Sequence, residues 1–84
     1  MKNKILIELI VPDICEIYNL YIPINRKVGN VIELLNKAIN EISNNSYVGN
    51  NKTSLYSKET GVKYAVNVLV RETDIKQGSK LVLL

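Results

Sequence analysis

Eighty-four residues with a net charge of +3, one cysteine and no histidine leave room for one small domain, residues 1–84, and little room for redox or metal chemistry. A disulfide within the chain and a metal site built on paired cysteines are excluded. The commonest general base and metal ligand is missing as well. The apolar run after Lys2 and Lys4 is interrupted by Glu8 and ended by Pro12-Asp13 with no small-residue cleavage site, so it does not read as a signal peptide. No run approaches the ~20 apolar residues of a membrane span. The expectation is a soluble, cytoplasmic protein with no membrane insertion and no cofactor.

In chain order, Ile5 to Val11 is a β-branched, leucine-rich run and reads as a strand, with Ile5, Ile7 and Leu9 inward and Leu6, Glu8 and Ile10 outward. Pro12-Asp13 is a turn signal. A second strand follows from Glu16 to Ile22, with Tyr18, Leu20 and Ile22 inward and Ile17, Asn19 and Tyr21 outward. The short link makes the pair a hairpin, and Pro23 ends it.

The clearest element is VGNVIELLNKAINEI, Val28 to Ile42. Val28, Val31, Ile32, Leu35, Ala38, Ile39 and Ile42 recur in steps of three and four, one stripe of a helix. Glu33 stands four residues before Lys37, the favourable order for a helical ion pair. About fifteen residues of helix are marginal alone in water and need a surface to lie on. The helix start is chemically odd: Asn25 is the only good capping residue, Arg26 and Lys27 oppose the dipole, and Gly29 weakens the first turn. Free amides beside two cations could hold an anion, but no glycine-rich phosphate loop precedes them and two solvated charges on a loose turn is the plainer reading.

Asn44-Asn45 can stop the helix. Ser46 to Lys52 reads as a loop turning at Gly49-Asn50, with Tyr47 and Val48 under the helix end. Thr53 to Ser57 reads as a third strand, 58–61 as a turn and Val62 to Tyr64 as a short fourth strand. AVNVLVRETDI keeps no single period and reads as a loop with one helical turn near Arg71 to Asp74. Gly78 allows a tight turn before a last strand, Lys80 to Leu84. With the first hairpin covered by a helix, the last strand belongs parallel to strand one, reached by a right-handed crossover. This is an α+β, ubiquitin-like β-grasp: a mixed sheet of four to five strands on one helix.

Tyr18-Asn19-Leu20-Tyr21-Ile22-Pro23 is followed by Val28, Val31 and Ile32, and Asp74-Ile75-Lys76-Gln77-Gly78 precedes Leu81-Val82-Leu83-Leu84. In these stretches the chain resembles the YukD/EsaB type of small bacterial ubiquitin-like proteins associated with type VII (WXG-protein) secretion systems. The Asn-rich stretch from Asn44 to Lys52 is longer than that family's. The resemblance implies a non-enzymatic accessory or regulator whose partners are cytosolic domains of the secretion machinery. It brings no catalytic residues with it.

Ubiquitin and the sulfur carriers act through a Gly-Gly tail whose carboxylate is activated. Leu81-Val82-Leu83-Leu84 offers no glycine and two bulky residues at the end, so conjugation is not expected. A β-grasp ferredoxin needs four cysteines. Cys15 has no histidine beside it and carries Asp13 and Glu16 nearby, which oppose a thiolate; it reads as an inert turn cysteine. The acidic residues are dispersed, with no pair spaced for acid–base work. The chain is mildly basic, pI near 9.1, and a nucleic-acid-binding β-grasp module drawing on Arg26, Lys27, Lys52, Lys58 and Lys63 is the alternative. Against it, the basic residues are scattered and not interleaved with aromatic stacking partners.

What remains is a surface. By alternation, Leu6, Ile10, Ile17, Tyr21, Tyr56, Val82 and Leu84 point away from the helix, interrupted by Glu8, Asn19 and Lys80. An open antiparallel face is ordinarily polar, whereas a contiguous apolar patch marks a binding surface, and ubiquitin uses the corresponding face. These seven residues are the expected protein-binding face, and because it could serve self-association, a homodimer is the simplest partner.

Overall fold

Alternation builds the first hairpin as the sequence leads one to expect. In the computed structural model, which describes residues 3–50 and 52–84, β1 (Lys4–Val11) and β2 (Glu16–Pro23) pair antiparallel from Lys4↔Pro23 to Val11↔Glu16. Lys2, and Asn51 within the polar loop, lie outside the described residues. Ile7, Leu9, Val11 and Ile22 are buried, while Ile17, Asn19 and Tyr21 are exposed. A 3₁₀ turn at Pro12–Ile14 joins the strands, and Cys15 closes it in the left-handed region at φ 53°. Pro23 lies inside β2 rather than beyond it; a proline is tolerated there because β2 is at the margin of the sheet.

The helix α1 spans Val28–Ile42. Val28, Val31, Ile32, Leu35 and Ile39 are buried along its stripe. Ala38 is half-buried, and Ile42, expected to complete the stripe, is 53% exposed at the last turn. Asn44 and Asn45 take φ of 54° and 67°, and the Asn45 N–H reaches back to the Asn40 carbonyl at 2.9 Å, so the two asparagines do end the helix. Tyr47 packs into the core and its hydroxyl donates to Asn36 Oδ1 at 2.7 Å. Val48 does not accompany it under the helix; it is exposed.

The second half is less regular than its sequence implies. β3 is confined to Leu55–Ser57, and residues 62–64 form no strand, only a bridge from Lys63 to Tyr56. Gly61 supplies the positive φ of 73° that the intervening turn needs. β4 (Lys80–Leu83) lies parallel to β1 and antiparallel to β3, giving a four-stranded sheet in the order β2-β1-β4-β3. The helical turn expected near Arg71 is a 3₁₀ turn at Val70–Glu72. Val70 is fully buried and Ile75 nearly so. The core therefore draws on β1, β2, α1, β3, β4 and the crossover.

Residues 66–71 run antiparallel to 24–29 and fix the helix start. Val28 N–H donates to the Val68 carbonyl at 2.8 Å and Gly29 N–H to the Val66 carbonyl at 2.9 Å. Val70 and Arg71 N–H return bonds to the Arg26 and Ile24 carbonyls at 2.9 and 3.0 Å. A Cβ at Gly29 would stand 3.1 Å from the Val66 oxygen, so the glycine in the first turn permits this close approach. The anion-site reading of the helix start fails here, because two of the amides it needs are occupied by carbonyls of the crossover. Asn25 does not cap: its amide donates to Asn3 Oδ1 and its oxygen accepts from Arg71, while Lys27 occupies the N-cap without a side-chain cap bond.

Candidate protein-binding face

Register decides which outward residues meet. Ile10 of β1 lies opposite Ile17 of β2 and opposite Val82 of β4, and Val82 lies opposite Tyr56 of β3. Ile17, Ile10, Val82 and Tyr56 thus form one row across all four strands. Directly opposed residues share a face, so the bridge from Tyr56 to Lys63 continues the row with a cation. Ile10, Val82 and Tyr56 are half-buried by their neighbours, and Ile17 at the margin is 60% exposed.

The other outward residues stand apart from this row. Asn19, Glu8 and Lys80 form a polar row beside it, with Glu8 opposite both others. Leu6 and Tyr21 pair beyond that. Their row stops at the turn before β4, where Gln77 Oε1 accepts from Leu6 N–H at 2.9 Å and Gly78 N–H donates to the Leu6 carbonyl at 2.8 Å. Leu84 lies on the other side of the main row, 56% exposed. Its N–H donates to the Ser54 carbonyl at 3.0 Å and its carbonyl accepts from Ser54 N–H at 2.8 Å. The seven residues are therefore an apolar row of four, a separate pair and one flanking leucine.

A second surface lies between β2 and α1. A groove of about 310 Å³ is lined by Leu20, Ile22, Leu34 and Ala38, with Lys4 and Arg26 beside Pro23. The sequence reading misses it, because a groove at a sheet margin exists only once the strand order is known. The signal that could have found it is Leu34, an exposed leucine next to the buried stripe. A smaller polar hollow beside β4 holds Tyr64, whose hydroxyl donates to Asp74 Oδ1 at 2.7 Å. Burial, then that hydrogen bond, push the Tyr64 hydroxyl up to about 12. Cys15 is exposed, with its thiol 3.7 Å from the Pro12 carbonyl.

The basic residues of the nucleic-acid reading do not form one patch on this fold. Arg26 lines the β2 groove, whereas Lys58 follows β3 and Lys63 bridges to it at the opposite margin. Among the described residues no three His, Cys, Asp or Glu side chains come together as a metal site would require, and no helix is long and apolar enough to cross a membrane.

One helix on a mixed four-stranded sheet, with parallel β1 and β4 at its centre, is the ubiquitin-like β-grasp, and solved structures of ubiquitin-like proteins share it. The chain is similar to an ubiquitin of Caldiarchaeum subterraneum at TM-score 0.65 and 17% identity, over 95% of this chain and 90% of that one. It is also similar to a chain described under molecular mimicry of SUMO in DNA repair, at TM-score 0.74 and 17% identity over 98% and 91%. A chain of the ESX-5 inner membrane complex matches at TM-score 0.71 and 11% identity; 98% of this chain aligns with 21% of that much longer one. No protein-family model and no curated protein matches the sequence.

Proposed function

We propose that this protein is a non-conjugating, ubiquitin-like protein-interaction module acting in the cytoplasm as an accessory or regulatory component of a type VII secretion system. The observation that carries the reading is the apolar row Ile17–Ile10–Val82–Tyr56 on the face away from the helix. Side chains there serve no core, and a row that spans a preformed sheet offers a partner a rigid, largely desolvated strip with little ordering cost. The fold class supports docking over chemistry, since ubiquitin-like domains are in general interaction modules. The secretion assignment rests on the resemblance to YukD/EsaB-type proteins and on the likeness to a chain of the ESX-5 inner membrane complex; the partners proposed are cytosolic domains of such machinery.

The test replaces Tyr56 with Ser and Val82 with Lys together. Loss of one cross-strand apolar pair costs on the order of 1 kcal/mol, so the variant stays folded. In affinity capture from its own cells, the wild type recovers secretion-machinery components and the double variant recovers none. Equal recovery by the two proteins moves the docking site off this face. An unfolded variant assigns the two side chains to the core.

A further inference from the structure

The two margins of the sheet are not alike. β3 is covered: Tyr64 N–H donates to the Leu55 carbonyl at 2.9 Å and Ser57 N–H to the Val62 carbonyl at 3.0 Å. Among the described residues β2 has no neighbour on its outer side. On β1, Gly78 N–H donates to the Leu6 carbonyl and Glu8 N–H to the Ser79 carbonyl, so even-numbered residues turn their backbone groups to β4 and odd-numbered ones to β2. Carried through the register, Tyr18, Leu20 and Ile22 bond to β1, and Ile17, Asn19 and Tyr21 turn their N–H and C=O groups to the open side. Among the described residues no loop or side chain meets them. Such margins are ordinarily blunted by lysine, proline or a bulge. β2 carries no lysine, and its proline stands only at its last position.

We infer that β2 pairs antiparallel with β2 of a second copy, about a two-fold axis through Asn19. The strand is self-complementary around that residue. Ile17 falls opposite the partner's Tyr21, Tyr18 opposite the partner's Leu20, and Asn19 opposite the partner's Asn19, with the three open residues of each copy in hydrogen-bonding register. Charge selects the same orientation. One end of the margin is acidic, with exposed Asp13 and Glu16, and the other is basic, with exposed Lys4, Arg26 and Lys27. A two-fold antiparallel arrangement sets acidic against basic twice, whereas a parallel one would oppose like charges. The pairing also brings the two β2–α1 grooves together and removes exposed Leu34, Ile17 and Tyr21 from water. This surface takes in Ile17 at one end of the apolar row, while Tyr56 and Val82 at its other end stay free for another partner.

Sedimentation equilibrium of the full chain, at concentrations up to roughly 1 mM, tests it. The wild type is a concentration-dependent dimer. Asn19→Pro, which removes an outward N–H and no bond to β1, is monomeric. Glu16→Lys weakens the dimer by about tenfold or more, and adding Arg26→Glu to the same chain restores it. The Tyr56→Ser, Val82→Lys protein dimerises like the wild type. A wild type that stays monomeric overturns the proposal and leaves the margin to an extended peptide of another protein. A dimer that survives Asn19→Pro, or a charge exchange that restores nothing, overturns it equally. Amide spectra report folding, and if Asn19→Pro does not fold the charge exchange decides.

Discussion

Tyr64 ties the irregular half of the molecule together, and its hydroxyl sets a pH limit on that half. It donates to Asp74, joining the segment that borders β3 to the turn preceding β4. Burial and this bond raise its ionisation from the ordinary 10.0 to about 12. A raised value in the folded state means that the contribution to stability is complete below pH 10 and disappears as pH climbs through about 12. Comparing denaturation of the wild type and Tyr64→Phe, the stability difference should be flat from neutrality to pH 10 and then shrink. Tyrosinate absorbance should lose its latest-titrating step in the variant. A difference that fades below pH 10, or a missing step near 10, would contradict the bond. Nothing in the sequence marks this tyrosine, since its partner is ten positions away in a stretch without a period.

At the scale of elements, the helix start is held by backbone rather than by a cap. The crossover carbonyls of Val66 and Val68 take the first two amides, but among the described residues no acceptor meets the Asn30 N–H, and Lys27 at the N-cap puts a cation on the positive end of the dipole. Lys27→Asp should supply both an acceptor and the right charge. About 1 kcal/mol of gain is expected, which raises the thermal midpoint of a domain of this size by roughly 4–8 °C. A midpoint unchanged or lowered on calorimetry would mean that the crossover leaves the cap nothing to satisfy. The limits of α1 and the faces of β1 and β2 were legible because one-sided burial imposes a period, 3.6 or 2, on the residues themselves. The crossover was not: Val70 is buried in a 3₁₀ turn too short to repeat, and its place is set by bonds to 24–26 that no local pattern encodes. Residues 62–64 read as a strand by composition, yet only one bridge forms, since β3 offers them just three residues to pair with. The candidate face was legible as a set of residues. Its division into a row, a pair and a flanking leucine came only from the register between strands.

For the whole molecule, the sheet takes in the residues that follow Lys80. Leu83 is fully buried and Leu84 is bonded to Ser54 in both directions, so both are held in the sheet. Blots of cell lysate under reducing, denaturing conditions should show the free protein alone, and a ladder of adducts lost on substituting Leu83 and Leu84 would count against the non-conjugating reading. The same central strand pair governs how the chain is made. Leu9 meets Leu81 across most of the sequence, and contacts of that span must wait for the intervening loop to close. On the ribosome, the β1–β2 hairpin emerges early with one flank of β1 vacant and its apolar face uncovered until α1 and then β4 leave the tunnel. Between the emergence of β1 and that of β4 the polypeptide is therefore an unfinished sheet, and a chaperone that shields β1 over that interval would favour its yield.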